Sequence, residues 1–196
     1  MDARLKKQID FLVEIDKMKT ILRQTILVDK SKRENDAEHS WHFAVMAMVL
    51  FEYTDSSAVN ILRVLKMALV HDLVEIYAGD TFAYDDKGNE GKAEREAAAA
   101  DKIFGLLPQD QGKELHGLWR EFEEIQTADS KYANAIDRLQ PLINNYMTEG
   151  HTWKLGNVTS DKVYKRMGII EEGVPGLWGF VTDIINSSVE KGYLQK

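Results

Sequence analysis

Residues 67–77, MALVHDLVEIY, are apolar on nearly every side of a helix, yet they contain His71, Asp72 and Glu75. A helix that is apolar all round belongs inside a packed core, with other elements wrapped about it. An ionised carboxylate in such a place is costly unless it is paired or bound to a metal. No cation falls inside the stretch itself. The same residues therefore demand a surrounding core and a partner for the buried charge.

The rest of the chain supplies the wrapping. Three prolines in 196 residues, with apolar residues recurring at spacings of three and four, predict helices almost throughout and an all-α single domain over residues 1–196. The periodicity predicts helices over about 5–19, 37–53 with Asp36 as N-cap, and 58–77, capped from Asp55-Ser56-Ser57 and ended by Gly79. Further helices are predicted from about 92 to Pro108, over 109–124, over 128–149 with a kink or division at Pro141, and near 160–170 and 175–193. The segment between the first two helices reads as a polar connection. Residues 80–91, DTFAYDDKGNEG, read as a turn-rich loop and a candidate lid.

Composition removes several classes of chemistry. With no cysteine, disulfides, thiolate catalysis and sulfur-ligated metals are excluded, so any metal must rest on His, Asp and Glu. A net charge of -7 without a basic block argues against a nucleic acid polymer as partner. No segment approaches 18 uninterrupted apolar residues, and the N-terminal stretch carries charge every few positions, so the expectation is no membrane span and a cytoplasmic location.

The polar residues of the core then become the candidates for function. Glu75 lies four residues after His71 and three after Asp72, so on one helix all three lean toward one side. A divalent cation would remove the repulsion and desolvation that two carboxylates suffer there; the bland alternative is a buried His–Asp pair satisfied by backbone or a distant arginine. Asp80, just past Gly79, adds a carboxylate or else closes an Asx-turn. His39 and His42 share a face at the start of the second predicted helix, and Asp137 sits among apolar neighbours in 134–139, NAIDRL.

The order His39, then His71-Asp72, then Asp137, each on a separate predicted helix, resembles the HD-domain metal-dependent phosphohydrolases. ENDAEHSWH at 34–42, HDLVEIYAGD at 71–80 and AIDRLQP at 135–141 look like the bacterial 5'-deoxynucleotidase branch and its eukaryotic relatives. The resemblance covers about residues 5–150; the helices from about 155 to 196 carry no recognised motif and are expected to pack on that part or pair subunits.

The resemblance implies an HD-type helical bundle holding one divalent metal ion, Co, Mn, Zn, Fe, Ni or Mg, on His39, His71, Asp72 and Asp137. It implies Glu75 and Asp80 as catalytic carboxylates and Arg23 and Arg33 as contacts to the substrate phosphate. The expected reaction is release of phosphate from a nucleoside 5'-monophosphate, with another small phosphate ester or a nucleoside triphosphate as the alternative substrate, and a homodimer is admitted. His42 stays outside the ligand set. The segment Leu22–Leu27 departs from the branch, which carries a bulky Trp after its Arg, so a preference for deoxyribose is not carried over. Two other classes compete: a non-catalytic HD module that senses a nucleotide, and a helical scaffold.

Overall fold

The computed structural model describes residues 2–196. α1 (Ala3–Glu14) runs through a 3-10 turn (Ile15–Thr20) into β1 (Leu22–Ile26), which pairs antiparallel with β2 (Arg33–Asn35). Then come α2 (Asp36–Val49), α3 (Ile61–Val70), a 3-10 turn (His71–Val74) and the short α4 (Glu75–Ala78). After the 80–91 loop follow α5 (Lys92–Phe104), α6 (Gln109–Glu124), α7 (Ala128–Met147), α8 (His151–Leu155), α9 (Ser160–Gly173) and α10 (Trp178–Glu190). Among the described residues the architecture is all-α with one small hairpin. Among the described residues no helix is long and apolar enough to cross a membrane.

α7 is the axis of the core, and α2, α3, α6 and α9 pack around it. Its buried side combines large residues, Tyr132, Ile136, Leu139 and Leu142, with the small Ala133 and Ala135. Small residues let neighbours approach: a Cβ on Gly173 of α9 would meet the Lys131 carbonyl oxygen at 2.5 Å. Pro141 does not divide α7, which is continuous through it. Lacking an N–H, it instead leaves the Asp137 carbonyl without its usual partner one turn later.

The start of α2 differs from expectation by one residue, with consequences for the site. Asn35, not Asp36, is the N-cap: its Oδ1 accepts from the Glu38 N–H at 3.0 Å, and Glu38 Oε2 accepts from the Asn35 N–H at 3.2 Å. This reciprocal box needs Glu or Gln three residues after the cap, which Asn35 has and Asp36 does not. Asp36 becomes the first helical residue, fully buried and turned inward. Asn35→Ala is expected to cost about 1 kcal/mol of stability, lowering Tm by about 2–4 °C for a chain of this size; a thermal melt with no resolvable shift would show that the cap does not hold the helix.

Three further elements correct the sequence reading. The connection between α1 and α2 forms the β1–β2 hairpin, too short and polar to carry an alternating signal. The helix expected over 58–77 begins only after Asn60, whose side chain accepts from the Arg63 N–H, while Asp55 is occupied in a turn with Ser57. It also ends at Val70 and tightens into the 3-10 turn that holds His71 and Asp72. α8 was not anticipated; Trp153 anchors it in the core.

Candidate metal centre and its cavity

The four expected ligands come together although they lie far apart in the chain. His39 is delivered by α2, His71 and Asp72 by the 3-10 turn, and Asp137 by α7. His39 Nε2 stands 2.9 Å from Asp137 Oδ1 and 3.9 Å from Asp72 Oδ2, while His71 Nε2 stands 3.1 Å from Asp72 Oδ2 and 3.6 Å from Asp137 Oδ1. Donor atoms of His39, His71 and Asp72 all lie within 4.8 Å of one another.

The partners of the imidazoles show why a cation fits. His71 Nδ1 faces the Ala68 carbonyl at 3.1 Å, which can only accept, so that nitrogen carries the proton. Gln140 donates its amide N–H to Glu34 Oε1 at 2.7 Å and so turns its carbonyl toward His39 Nδ1 at 3.2 Å. In both neutral rings the bare Nε2 lone pair then points at carboxylate oxygens. His71 Nε2 is buried without a hydrogen-bond donor. Lone pairs opposed at this range need a cation between them, either an added proton or a metal ion; a second partner that fixes the tautomer is what metal-ligating histidines usually have. Without a metal the proton is the stopgap: despite burial, which acts the other way, Asp72 and Asp137 push the His71 pKa up to about 10.

A second acidic group adjoins the first. Donor oxygens of Asp36, Asp72 and Glu75 also lie within 4.8 Å of one another, all three residues being buried. Arg23, from β1, reaches Asp72 Oδ2 at 2.7 Å and Asp36 Oδ1 at 3.4 Å. The distant arginine that could satisfy the buried pair is thus present, but its guanidinium is shared among Glu34, Asp36, Asp72, Glu75, Asp80 and Asp137. Burial raises the Glu75 carboxyl well above its ordinary range, with Asp72 and Asp36 adding to it, and burial likewise pushes Asp36 up to about 7. Asp36 Oδ2 and Glu75 Oε2 are both buried without a donor.

The centre opens into a cavity of about 210 Å³ lined by Arg23, Gln24, Thr25, Asp72, Glu75, Asp80 and Asp137, and also by Phe82, Lys92, Glu123, Arg138 and Arg166. Glu75 and Asp80, the expected catalytic carboxylates, therefore share one space with the expected ligands. Arg33 does not: its Nε donates to the Arg23 carbonyl at 2.5 Å and its Nη2 to the Leu22 carbonyl at 2.8 Å. Those bonds clamp β1 to β2, and Arg33 is not among the residues that line the cavity. His42, half-buried, approaches Gln140 at 3.3 Å, outside the cluster.

Sequence reasoning passed over Glu34, taken only as part of a motif, and Asp36, taken as a cap. It also passed over Lys92 and Glu123, which line the cavity. A carboxylate falling on the apolar side of α2 was the available signal for Asp36.

A mainly helical domain with a two-histidine, two-aspartate cluster at the foot of an acidic cavity is a defined class of metal-binding domain, and the comparisons agree with it. The family profile described as HD domain matches residues 15–178, and the chain belongs to that family. The chain is 53% identical to a solved structure described as a predicted metal-dependent phosphohydrolase from Magnetospirillum magnetotacticum MS-1, with a TM-score of 0.93 and all of both chains covered. It is 36% identical to the mouse 5'-deoxynucleotidase HDDC2 over 57% of this chain and 54% of that protein. To the human 5'-deoxynucleotidase HDDC2 it is 32% identical over 69% of this chain and 65% of that protein. The chain thus spans only about half of the mouse relative's length.

Proposed function

We propose that the protein is a metal-dependent phosphohydrolase that releases phosphate from nucleoside 5'-monophosphates. The observation that carries this reading is the pair of bare imidazole nitrogens opposed to Asp72 and Asp137 at the foot of a cavity that also holds Glu75, Asp80 and Arg23. The relatives named 5'-deoxynucleotidase support the substrate class. A helical scaffold would gain nothing from so many uncompensated buried carboxylates, and a purely sensing module would not need a pair of carboxylates able to move protons.

His39, His71, Asp72 and Asp137 would hold the cation. Bound there, a divalent ion polarises a phosphate oxygen and lowers the pKa of water. Hydrolysis forms a bond from water oxygen to phosphorus and breaks the bond to the 5'-oxygen, and the proton lost by water must reach the departing alcohol. Glu75, buried, and Asp80, half-buried at the cavity wall, supply that transfer between them. Arg23 holds Asp72 in place and presents positive charge to the phosphate on the same wall. The protein is further proposed to act in the cytoplasm, with a homodimer as its assembly.

The test is phosphate release from a panel of nucleoside 5'-monophosphates with Co, Mn, Mg and Zn supplied in turn. Failure with every pair would remove the reading. The same panel addresses the sugar. Gln24 follows Arg23 on the cavity wall where a bulky ring was absent from the sequence, and Trp41 is exposed, away from the cavity. Phe82 does line it. On the discrimination that pocket shape alone supplies, AMP and dAMP are expected to differ in kcat/KM by less than about a hundredfold; a preference for dAMP beyond about a thousandfold would mean that Phe82 or another ring fills the space at the 2' carbon.

A further inference from the structure

The cavity does not end at the acidic cluster. Arg138 of α7 and Arg166 of α9 also line it, as do Tyr84 from the loop and Trp153 of α8. Arg138 is the residue after Asp137, so α7 turns one side chain to the imidazoles and the next to this lining.

The two guanidiniums are poorly compensated. Arg138 donates only to neutral acceptors, the Arg166 carbonyl at 3.1 Å and Asn134 Oδ1 at 3.4 Å. Among the described residues the Arg166 side chain makes no hydrogen bond or ion pair. The carboxylates whose charge reaches Arg138 are Asp137, engaged with His39 and His71, and Glu123. The Arg138 bond to the Arg166 carbonyl brings the two arginine residues together on the lining of one cavity. Tyr84 feels the positive charge of both. Elsewhere the arginines Arg4 and Arg63 sit on carboxylates, as paired surface arginines do.

Two cations drawn partly out of water with no carboxylate in hydrogen-bond contact are stabilised when an anion reaches them, and planar guanidinium groups match phosphate oxygens two at a time. A neutral base or sugar would not offset the repulsion. We propose that Arg138 and Arg166 form a second anion subsite, and that the substrate preferred by this enzyme carries a second phosphate in addition to the one released. The inference rests on the phosphohydrolase reading and deepens it: the acidic end takes the cation and the scissile phosphate, and the basic wall takes a phosphate that survives the reaction. The product is then itself a phosphorylated nucleoside, which only a second, different phosphatase would finish.

The metal-loaded enzyme is assayed for release of the 5'-phosphate from AMP, adenosine 3',5'-bisphosphate and adenosine 2',5'-bisphosphate, as wild type and as Arg166→Gln and Arg166→Lys. At least one bisphosphate is expected to exceed AMP in kcat/KM by tenfold or more, mainly through KM, on the order expected for hydrogen bonds to a charged group. Arg166→Gln is expected to erase that ratio and Arg166→Lys to retain part of it. If Arg166 served only to hold α9 on α7, both substrates would suffer together and the ratio would stand, which overturns the proposal. Equal kcat/KM for AMP and both bisphosphates in wild type also overturns it while leaving the phosphohydrolase reading intact. If no nucleotide is hydrolysed with any metal, that reading falls instead. Calorimetric titration with the two bisphosphates then decides the subsite alone: tighter binding than AMP, lost in Arg166→Gln, upholds it, and no difference overturns it.

Discussion

Asp72→Ala is expected to abolish metal retention and turnover while leaving the chain folded. Asp72 Oδ2 is the oxygen shared by the cluster: it faces His71 Nε2 at 3.1 Å, His39 Nε2 at 3.9 Å and Arg23 Nη1 at 2.7 Å. Residues that only orient a ligand typically cost about 10–100-fold in metal affinity when removed; loss of a ligand should exceed that. The fold should survive because Asp72 also repels its neighbours, contributing to the raised pKa values of Asp36 and Glu75. Arg23 keeps Asp36 at 3.4 Å and Glu34 at 4.0 Å when Asp72 is gone. Elemental analysis and melting curves with and without added metal check both halves. Wild type should gain Tm on metal addition, as any ligand of the native state requires, and Asp72→Ala should not. A variant that still binds stoichiometric metal would take Asp72 out of the ligand set.

Glu75→Gln is expected to keep the metal and lose turnover by about a hundredfold to ten-thousandfold, the usual value of positioned proton transfer. The amide preserves shape and can hydrogen-bond to Asp36, whose unpartnered Oδ2 belongs to the same buried group. It cannot exchange a proton with water or with a leaving oxygen. Because burial and two neighbouring carboxylates hold the Glu75 carboxyl well above its ordinary range, removing its charge costs the folded protein nothing and should raise Tm slightly. The separation of metal content from kcat is the diagnostic. Loss of metal in a folded Glu75→Gln protein would instead place Glu75 among the ligands, sharing the site of Asp36 and Asp72.

Local pattern carried the reading of the helices a long way. The run 109–124 and the start of α7 at Ala128 follow from periodicity and capping alone, since both depend on residues three and four apart. The same locality explains the errors. Whether Asn35 or Asp36 caps α2 turns on a reciprocal bond to Glu38 rather than on either residue's propensity. The break at Val70, after which a 3-10 turn holds the His71 ring against the Ala68 carbonyl, is encoded in no hydropathy pattern.

Taken by itself, the sequence determined that this chain is helical and that the apolar segment 67–77 carries charges needing a partner. The absence of cysteine left only histidine and carboxylates to hold a metal, and the resemblance in 34–42, 71–80 and 135–141 nominated which. Those conclusions rest on chemistry that each residue carries wherever it goes. Only the tertiary structure decided that Arg23 pairs with Asp72 across 49 positions, that Gln140 sets the tautomer of His39 across 101, and that Arg33 spends its guanidinium on backbone carbonyls. It also brought Arg138 and Arg166 to one wall of the cavity. The reason is physical: a charge's partner is chosen by whichever helix packing delivers to it, and that packing is set by the summed burial of the core, not by the residues beside the charge in the chain.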